Sequence, residues 1–143
     1  MDRDQTVLAA LAADPGSMFE PVQIQKLMFL IDKRQAKALG GAKFDFQPYD
    51  YGPFDSAVYR TLESLAAQGL VAIGVNARGR RTYTLTTDGT KRGEVLLGEL
   101  RGDVRDDIAG ASSWVRRLSF AALVSAIYQM YPEMRANSVF QGR

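Results

Sequence analysis

Residues 71–86 restrict the fold of this chain more than any other segment. In the run 71–75, β-branched residues alternate with small ones, and in the run 82–86, threonine alternates with tyrosine and leucine. Alternation with a period of two is typical of half-buried strands, because successive side chains of a strand point to opposite faces. The intervening turn, residues 76–80, contains two arginines and a glycine. The segment therefore predicts a two-stranded hairpin with a basic tip.

Five further segments predict helices, because their apolar residues recur at three- and four-residue intervals. The second of them begins near Pro21, which is tolerated in a first turn, and Gly40-Gly41 ends it. The third begins at Asp55, a residue type that caps helix N-termini, and Thr87-Asp88-Gly89 predict the start of the fourth. The predicted helices span about residues 3–13, 20–39, 55–68, 87–101 and 112–131.

The remaining segments are predicted to be irregular. Residues 44–51 alternate aromatic and polar side chains over much of their length, but Pro48 limits them to an edge strand or an extended loop. Gly52-Pro53 is predicted to turn the chain. Residues 102–110 are acidic and predict a loop or a frayed helix end, and residues 135–143 predict a mobile tail.

The order of these elements determines the predicted fold. Helix, helix, hairpin and helix follow one another as in a winged helix, in which the hairpin forms the wing. A length of 143 residues fits one domain. We predict an α+β, mainly helical chain that forms a single winged-helix-type domain over residues 1–143. Its core spans about residues 3–101, its wing is a two-stranded basic hairpin, and a C-terminal helix at about residues 112–131 is added to it.

The composition argues against several classes of function. The chain contains no cysteine and no histidine, which excludes disulfides and thiolate metal sites and removes the commonest general base and zinc ligand. The segment 74–79 lacks the lysine of a phosphate-binding loop, and the carboxylates at 103–107 lack the spacing of a calcium loop. We therefore expect a non-enzymatic protein without a cofactor or a metal. No apolar run would span a bilayer and the first residues do not resemble a signal peptide, so we expect a cytoplasmic protein without membrane contact.

The net charge of +2 is distributed unevenly along the sequence. Residues 76–92 carry five positive charges and one negative charge, whereas residues 44–75 carry one positive and four negative charges. A local basic patch attracts polyanions even on a near-neutral protein, and a planar guanidinium group donates two hydrogen bonds to phosphate. The alternative is a solvated hairpin tip whose charges prevent edge pairing. The candidate nucleic-acid-binding residues are Arg78, Arg80, Arg81, Lys91 and Arg92.

The helix predicted at residues 55–68 would read the major groove in a DNA-binding protein of this type. Its outward residues include a single cation, Arg60, which disfavours DNA reading because phosphate neutralisation supplies much of the affinity. Residues 44–59 instead contain six aromatic side chains. We predict that the phenylalanines of this segment belong to the core and that its tyrosines include one or two at a partner surface. The candidate partner-binding residues are Tyr49, Tyr51, Pro53, Tyr59 and Arg60.

Residues 24–71 carry a resemblance to a known family. The run Ile24-Gln25-Lys26-Leu27-Met28 is followed by Tyr49-Asp50-Tyr51-Gly52-Pro53 and by Val58-Tyr59. This pattern resembles the Panacea (SocA-associated) antitoxin-like domains and the related YwgA-like proteins, which show a lysine–leucine helix, a tyrosine–glycine–proline turn and a valine–tyrosine helix. The tryptophan usual near that turn is absent here, and Tyr128 to Pro132 are closer to the YwgA-like branch. The resemblance implies an antitoxin or proteolytic adaptor that neutralises or recruits another protein.

Three functions are consistent with these patterns. The first is a protein-binding module of the antitoxin or adaptor type, whose partner is a toxin or a defence component. The second is a winged-helix DNA-binding transcriptional regulator that contacts nucleic acid through the wing and forms a homodimer through the C-terminal helix around residues 114–131. The third is a phage or mobile-element inhibitor of a host defence complex, for which the acidic segment 44–75 suits a basic target. We predict the first, because the positive charge lies on the wing while the expected recognition helix lies in an acidic, tyrosine-rich segment.

Overall fold

Helices dominate the structure, a computed structural model that describes residues 1–141. Within these residues the chain forms six α-helices and two antiparallel pairs of strands, so the predicted mainly helical α+β class is confirmed. The elements are α1 (Arg3–Ala12), α2 (Pro21–Arg34), β1 (Gln47–Tyr49), β2 (Gly52–Phe54), α3 (Ser56–Ala67), β3 (Val71–Val75), β4 (Arg81–Leu85), α4 (Thr87–Gly98), α5 (Gly102–Arg117), α6 (Phe120–Met130) and a 3-10 turn (Pro132–Arg135).

Helix α2 lies at the centre of the core. Every residue from Ile24 to Ile31 is buried, which is the pattern of a helix covered on all sides rather than on one face. It packs against α1, α3 and α5, whose buried side chains include Val7, Leu62 and Ile108. Two of its buried residues, Gln25 and Lys26, are polar, and both contact the segment that connects α2 with α3.

The two-stranded hairpin predicted at residues 71–86 is confirmed as β3–β4. Val71 lies opposite Leu85 at its base and Val75 lies opposite Arg81 near its tip. Phe19 joins the other edge of β4, because its N–H and C=O groups exchange hydrogen bonds of 2.9 and 2.8 Å with Tyr83. These bonds fix the hairpin to the chain segment that precedes α2.

Helices α1 and α4 approach each other very closely at Gly93. A Cβ atom at this position would lie 2.5 Å from the Ala12 Cβ and 2.8 Å from the Leu8 carbonyl oxygen. A second close approach occurs at Gly89, where a Cβ atom would collide with the Leu70 backbone. Gly93 therefore permits α4 to pack onto α1, and Gly89 permits it to pack onto the backbone just before β3.

Several predicted boundaries in the first half of the chain are wrong. Helix α2 ends at Arg34, and residues 36–40 form hydrogen-bonded turns instead of continuing the helix to Gly40. Gly52-Pro53 does not turn the chain but lies in β2, and the turn is formed by Asp50 and Tyr51. Gly52 has a φ of +104°, a conformation that favours glycine. The glycine is therefore needed at the first position of β2, directly after the turn.

The predicted single C-terminal helix at residues 112–131 is also wrong. Residues 102–117 form helix α5, so the expected acidic loop at 102–110 is helical. Leu118 then adopts an extended conformation, and the Ser119 hydroxyl accepts a hydrogen bond of 3.1 Å from the Ala122 N–H as the N-cap of α6. One carboxylate of the acidic run, that of Asp107, accepts hydrogen bonds from Arg34 of α2 and from Gln35, and the apolar side chains of Val104, Ile108 and Val115 are buried.

The segment after α6 returns to the β1–β2 hairpin. The Tyr128 hydroxyl donates to the Ser138 hydroxyl at 2.6 Å, and the Val139 N–H donates to the Asp50 carbonyl at 3.0 Å. Asn137 donates from its side chain to the Pro48 carbonyl at 3.1 Å. Gly142 and Arg143, the last residues of the predicted tail, lie outside the described residues. Among the helices of residues 1–141, none is both long enough and apolar enough to cross a membrane.

Candidate partner-binding surface

The connection between α2 and α3, residues 35–55, carries the β1–β2 hairpin. Its register places Gln47 opposite Phe54 and Tyr49 opposite Gly52. The connection is held to α2 at its start, because the two carboxylate oxygens of Asp32 accept hydrogen bonds of 2.9 Å from the N–H groups of residues 43 and 44. Burial raises the pKa of this carboxyl, and the backbone hydrogen bonds oppose that shift.

Asp55 fixes the other end of the connection. Its carboxylate caps α3 by accepting from the Ala57 N–H at 2.8 Å, and its second oxygen accepts from the Asp45 N–H at 2.8 Å. The buried side-chain amide of Gln25 bonds both backbone groups of Asp55, donating at 2.9 Å and accepting at 3.1 Å. The base of the hairpin is therefore joined to α2 and α3 at a single residue.

Lys26 lies beneath the hairpin. Its side chain is almost fully buried, and its Nζ atom is 3.4 Å from the Pro53 carbonyl oxygen. A Cβ atom at Gly52 would lie 3.5 Å from both the Lys26 Cε and the Tyr128 Cε1 atoms, so these side chains fill the space under the strand. Burial disfavours the charged form and lowers the pKa of Lys26 to about 8.

Above Lys26, the hairpin presents aromatic rings to solvent. Tyr49 is 54% exposed and stacks on Phe54 with ring centroids 5.1 Å apart, and Tyr51 is 45% exposed and packs edge-on against Phe120 at 5.2 Å. Phe120 in turn packs against Phe140 at 6.1 Å. We refer to Tyr49, Tyr51, Phe54, Phe120 and Phe140 together as the aromatic surface. The ring contacts form two groups, Tyr49 with Phe54 and Tyr51 with Phe120 and Phe140, and each group orders one exposed tyrosine.

A row of rings connects the aromatic surface with the hairpin β3–β4, the predicted wing. Phe54 packs on Tyr59 at 5.8 Å, and Tyr59 stacks on the buried Tyr83 of β4 at 6.2 Å. Burial raises the pKa of the half-buried Tyr59. The row ends in the core, so the exposed end of the aromatic surface rests on a rigid base.

A groove of about 300 Å³ separates the wing from the start of α6. The Arg80 guanidinium lies 3.7 Å from the Glu20 carboxylate, and that of Arg81 lies 3.8 Å from the Glu63 carboxylate. These wing arginines therefore face acidic partners within the chain. The groove is lined by Glu20, Pro21, Val22, Arg80, Arg81 and Phe120.

The other predicted cations lie elsewhere. Lys91 and Arg92 are on α4 and line a groove of about 480 Å³ together with Asp2 and Asp4 of the N-terminal segment. Arg78 lies in the turn of the wing, where the Asn76 side chain accepts from its N–H at 3.0 Å. The five candidate nucleic-acid-binding residues are thus divided between the wing and the opposite end of the hairpin, at α4.

The candidate partner-binding residues are only partly brought together on one surface. Tyr49 and Tyr51 are exposed, Tyr59 is half-buried, and Pro53 is buried in β2. Arg60 is exposed on α3 and donates to the Ser56 hydroxyl at 2.7 Å. The phenylalanines of the segment were predicted to belong to the core, but they are half-buried rather than buried: Phe44, Phe46 and Phe54.

Sequence reasoning missed two rings of the surface and the buried lysine. Phe120 and Phe140 come from the C-terminal part of the chain, and no local pattern links them with the hairpin at 47–54. Lys26 lies inside an apolar run, and this position was the available signal for its burial. Comparison of the chain with protein-family models, curated proteins and solved structures gives no match.

Proposed function

We propose that this chain is a non-enzymatic, winged-helix-type protein that captures a partner protein on the aromatic surface. The observation that carries the proposal is the exposure of Tyr49 and Tyr51, whose rings are nevertheless held by Phe54 and Phe120. Tyrosine provides a large contact area and a polar tip, and rings that are already ordered lose little entropy on binding. Such pre-ordered rings are typical anchors of protein interfaces.

The order of the elements supports the winged-helix part of the proposal. Helix α1, the residue Phe19 paired with β4, helices α2 and α3, and the hairpin β3–β4 follow one another as the elements of that fold do. The connection between α2 and α3 is much longer than the short turn of a helix-turn-helix unit. This longer connection, residues 35–55, carries the tyrosines, which favours a role for it in binding.

The charges around the aromatic surface favour a basic partner. Asp50 is exposed in the turn between Tyr49 and Tyr51, and Asp45 is exposed two residues before β1. Carboxylates next to aromatic rings suit lysine and arginine side chains, which pair with the former and stack on the latter. A toxin or a defence component of the nucleic-acid-binding kind presents such side chains, and the resemblance to antitoxin and adaptor domains points in the same direction.

The test uses the product of the reading frame adjacent to this gene as the probe. The two proteins are co-expressed and the complex is measured by affinity purification and analytical ultracentrifugation. We expect a complex with the unaltered chain and at least a tenfold weaker one with the double variant Tyr49→Ser/Tyr51→Ser. Both substitutions are at exposed positions, so thermal melting should show an unchanged fold.

The control is Val95→Ser, which alters an apolar residue on α4 that is 69% exposed. It should leave the complex intact, because Val95 lies in the groove beside Lys91 and Arg92 and not near the tyrosines. A complex that survives the double tyrosine variant unchanged would remove the aromatic surface from the interface. A neighbour product that the chain fails to bind at all would count against the antitoxin role itself.

Nucleic-acid contact through the wing is the second candidate, favoured by the exposed side chains of Arg80 and Arg81 and by the position of Arg78 in the turn. The test is retention on duplex DNA at low salt, where phosphate contacts are strongest. Under this candidate, replacing all three arginines by alanine abolishes retention, and unchanged retention removes it. The carboxylates of Glu20 and Glu63 facing two of these arginines lead us to rank it second.

A further inference from the structure

The wing has one strand edge that no other strand of the described chain pairs with. The outer edge of β4 is paired with Phe19, whereas β3 is paired only with β4. At the ends of the hairpin, the Thr86 N–H donates to the Leu70 carbonyl at 3.1 Å and the Asn76 N–H donates to the Arg80 carbonyl at 2.8 Å. Hydrogen-bonded and non-hydrogen-bonded pairs alternate along an antiparallel ladder. The backbone groups of alternate β3 residues therefore point away from β4.

The backbone N–H and C=O groups that point away from β4 are those of Val71, Ile73 and Val75. No backbone group elsewhere in residues 1–141 bonds their N–H and C=O groups. Val71 is buried in the core at the base of the hairpin, whereas Ile73 is 37% and Val75 is 71% exposed, and β3 contains neither a charged residue nor a proline. Natural proteins usually protect a strand edge with charged residues or prolines, because an unprotected edge is a template for another strand. The edge of β3 thus has the properties of a pairing site.

We propose that a second copy of this chain pairs its own β3 with this edge. The two strands run antiparallel about a two-fold axis at Ile73, and the two hairpins form one four-stranded sheet in the order β4–β3–β3–β4. Two-fold symmetry makes the same patch serve both partners, as in most homodimers. This interface is distinct from the aromatic surface and from the dimer expected at the C-terminal helix.

The sequence of β3 is the reason for choosing a second copy as the occupant. Val71-Ala72-Ile73-Gly74-Val75 has the same order of residue types in both directions, β-branched at every odd position and small at every even one. Antiparallel pairing about Ile73 places Val71 opposite Val75, Ile73 opposite Ile73 and Ala72 opposite Gly74. Large side chains then meet on one face and small ones on the other, which is the favourable arrangement for cross-strand pairs.

The charges of the wing are compatible with this pairing. Since the two hairpins run in opposite directions, the turn that holds Arg78 and Arg80 in one copy lies beside the base of β3 in the other. The two sets of arginines are therefore at opposite ends of the four-stranded sheet. Like charges opposite one another would destabilise a sheet, and the proposed register avoids them.

The experiment compares the unaltered chain with Val75→Pro and Val75→Lys in sedimentation velocity over a wide range of protein concentration. Proline removes the outward N–H of residue 75 and leaves the bonds to β4 in place, because edge positions of this kind accept proline. Lysine puts a charge on the apolar strand without changing its backbone. We expect a reversible dimer for the unaltered chain and at least a tenfold higher dissociation constant for both variants.

The matched control is Val95→Lys, since Val95 is 69% exposed on α4 and lies outside the edge. It should dimerise as the unaltered chain does. If Val75→Pro fails to give the melting transition of the unaltered chain, Val75→Lys decides the outcome. A chain that stays monomeric at high concentration, or a dimer that both Val75 variants leave unchanged, overturns the proposal.

Amide hydrogen exchange gives a second readout on the same strand. The N–H groups of Ile73 and Val75 have no acceptor in one protomer, so they should exchange quickly in dilute protein and slowly in the dimer. The N–H of Gly74 points towards Thr82 within the hairpin and should be protected at every concentration. Fast exchange of Ile73 and Val75 in a sample that is dimeric would place the interface elsewhere and refute the pairing.

Discussion

The Nζ atom of Lys26 lies 3.4 Å from the Pro53 carbonyl oxygen, directly beneath the hairpin that carries Tyr49 and Tyr51. Its side chain is only 3% exposed, and no carboxylate within residues 1–141 forms a salt bridge with it. Burial lowers the pKa of Lys26 from 10.5 to about 8. A shift of this size corresponds to a cost of about 3 kcal/mol for keeping the group charged in the folded state.

This cost predicts a rise in stability at alkaline pH. Between about pH 8 and pH 10.5 the unfolded chain binds the Lys26 proton more strongly than the folded chain does, so the free energy of unfolding contributed by this group increases with pH. Below pH 8 both states are protonated and the full cost is present. We expect Lys26→Met to raise the free energy of unfolding at pH 7 and to remove this rise, as measured by urea denaturation across pH 7 to 11.

Lys37→Met is the control for Lys26→Met, since Lys37 is exposed and its loss should leave the pH profile unchanged. The prediction depends on the balance between desolvation and a single long hydrogen bond. A Lys26→Met variant that is less stable at pH 7, with a pH profile parallel to that of the unaltered chain, would show that the ammonium group stabilises the hairpin.

Gly93 is predicted to be intolerant of alanine. The added methyl group would lie 2.5 Å from the Ala12 Cβ and 2.8 Å from the Leu8 carbonyl oxygen, so α4 would have to move away from α1. Overpacking of this kind costs about 1–3 kcal/mol. Gly110→Ala is the matched control, because Gly110 is inside helix α5 with open space around its Cα, and there alanine should stabilise by roughly 0.5–1 kcal/mol. Urea midpoints that shift the same way in both variants would contradict the packing seen at Gly93.

Asp55 is predicted to govern both the stability and the binding of the chain. Asp55→Ala removes the cap of α3 and the bond to the Asp45 N–H, so the free energy of unfolding should fall by about 1–2 kcal/mol. The loosened hairpin should also weaken partner capture. Asp45→Ala is the control, since the Asp45 carboxylate bonds only the exposed side chain of Gln47 at 2.9 Å, and it should change stability by less than about 0.5 kcal/mol. Equal losses for the two variants in thermal melts would show that Asp55 is not the junction.

The elements that the sequence predicted well are those whose signals are local. The alternation at 71–86 depends on neighbouring side chains alone, and the capping residue Asp55 and the terminal Gly69 mark the ends of α3 within a few residues. The break between α5 and α6 has only a weak local signal, the capping Ser119, because Leu118 continues the apolar pattern. The helix at 102–117 was missed because its acidic residues obscure the helical spacing of Val104, Ile108 and Val115, which are buried in the structure.

The candidate surface was predictable only in part for the same reason. The tyrosines of the hairpin were recognisable from their density, and the expectation that one or two of them are exposed agrees with Tyr49 and Tyr51. Phe120 completes the surface from an element about 70 residues away, and such a contact is determined by the tertiary fold. The apolar spacing of α2 gives no indication that Lys26 is buried, because the β1–β2 hairpin that covers this side chain is placed by the tertiary fold.

The pair formed by Arg34 and Asp107 gives the last prediction. The two guanidinium nitrogens lie 3.0 and 2.5 Å from the carboxylate oxygens, and the Arg34 hydrogen bonds hold the pKa of Asp107 below its usual value. A carboxylate with a lowered pKa stabilises the fold above the unfolded pKa of about 3.8, and that contribution is lost as the pH falls through the folded value.

Because the Arg34 side chain is 54% exposed, solvent screening limits the contribution of this pair to the free energy of unfolding to less than about 1 kcal/mol. We expect Asp107→Ala to lower the free energy of unfolding at pH 7 by up to that amount and to lose less stability than the unaltered chain between pH 5 and pH 2. The neighbouring Asp106 is exposed and serves as the control, since Asp106→Ala should leave the acid limb of the profile as it is. If the two variants give superimposable acid-unfolding curves, the contact between α2 and α5 is not held by this ion pair, and the helical state of residues 102–117 depends instead on the burial of its apolar side chains, Val104, Ile108 and Val115.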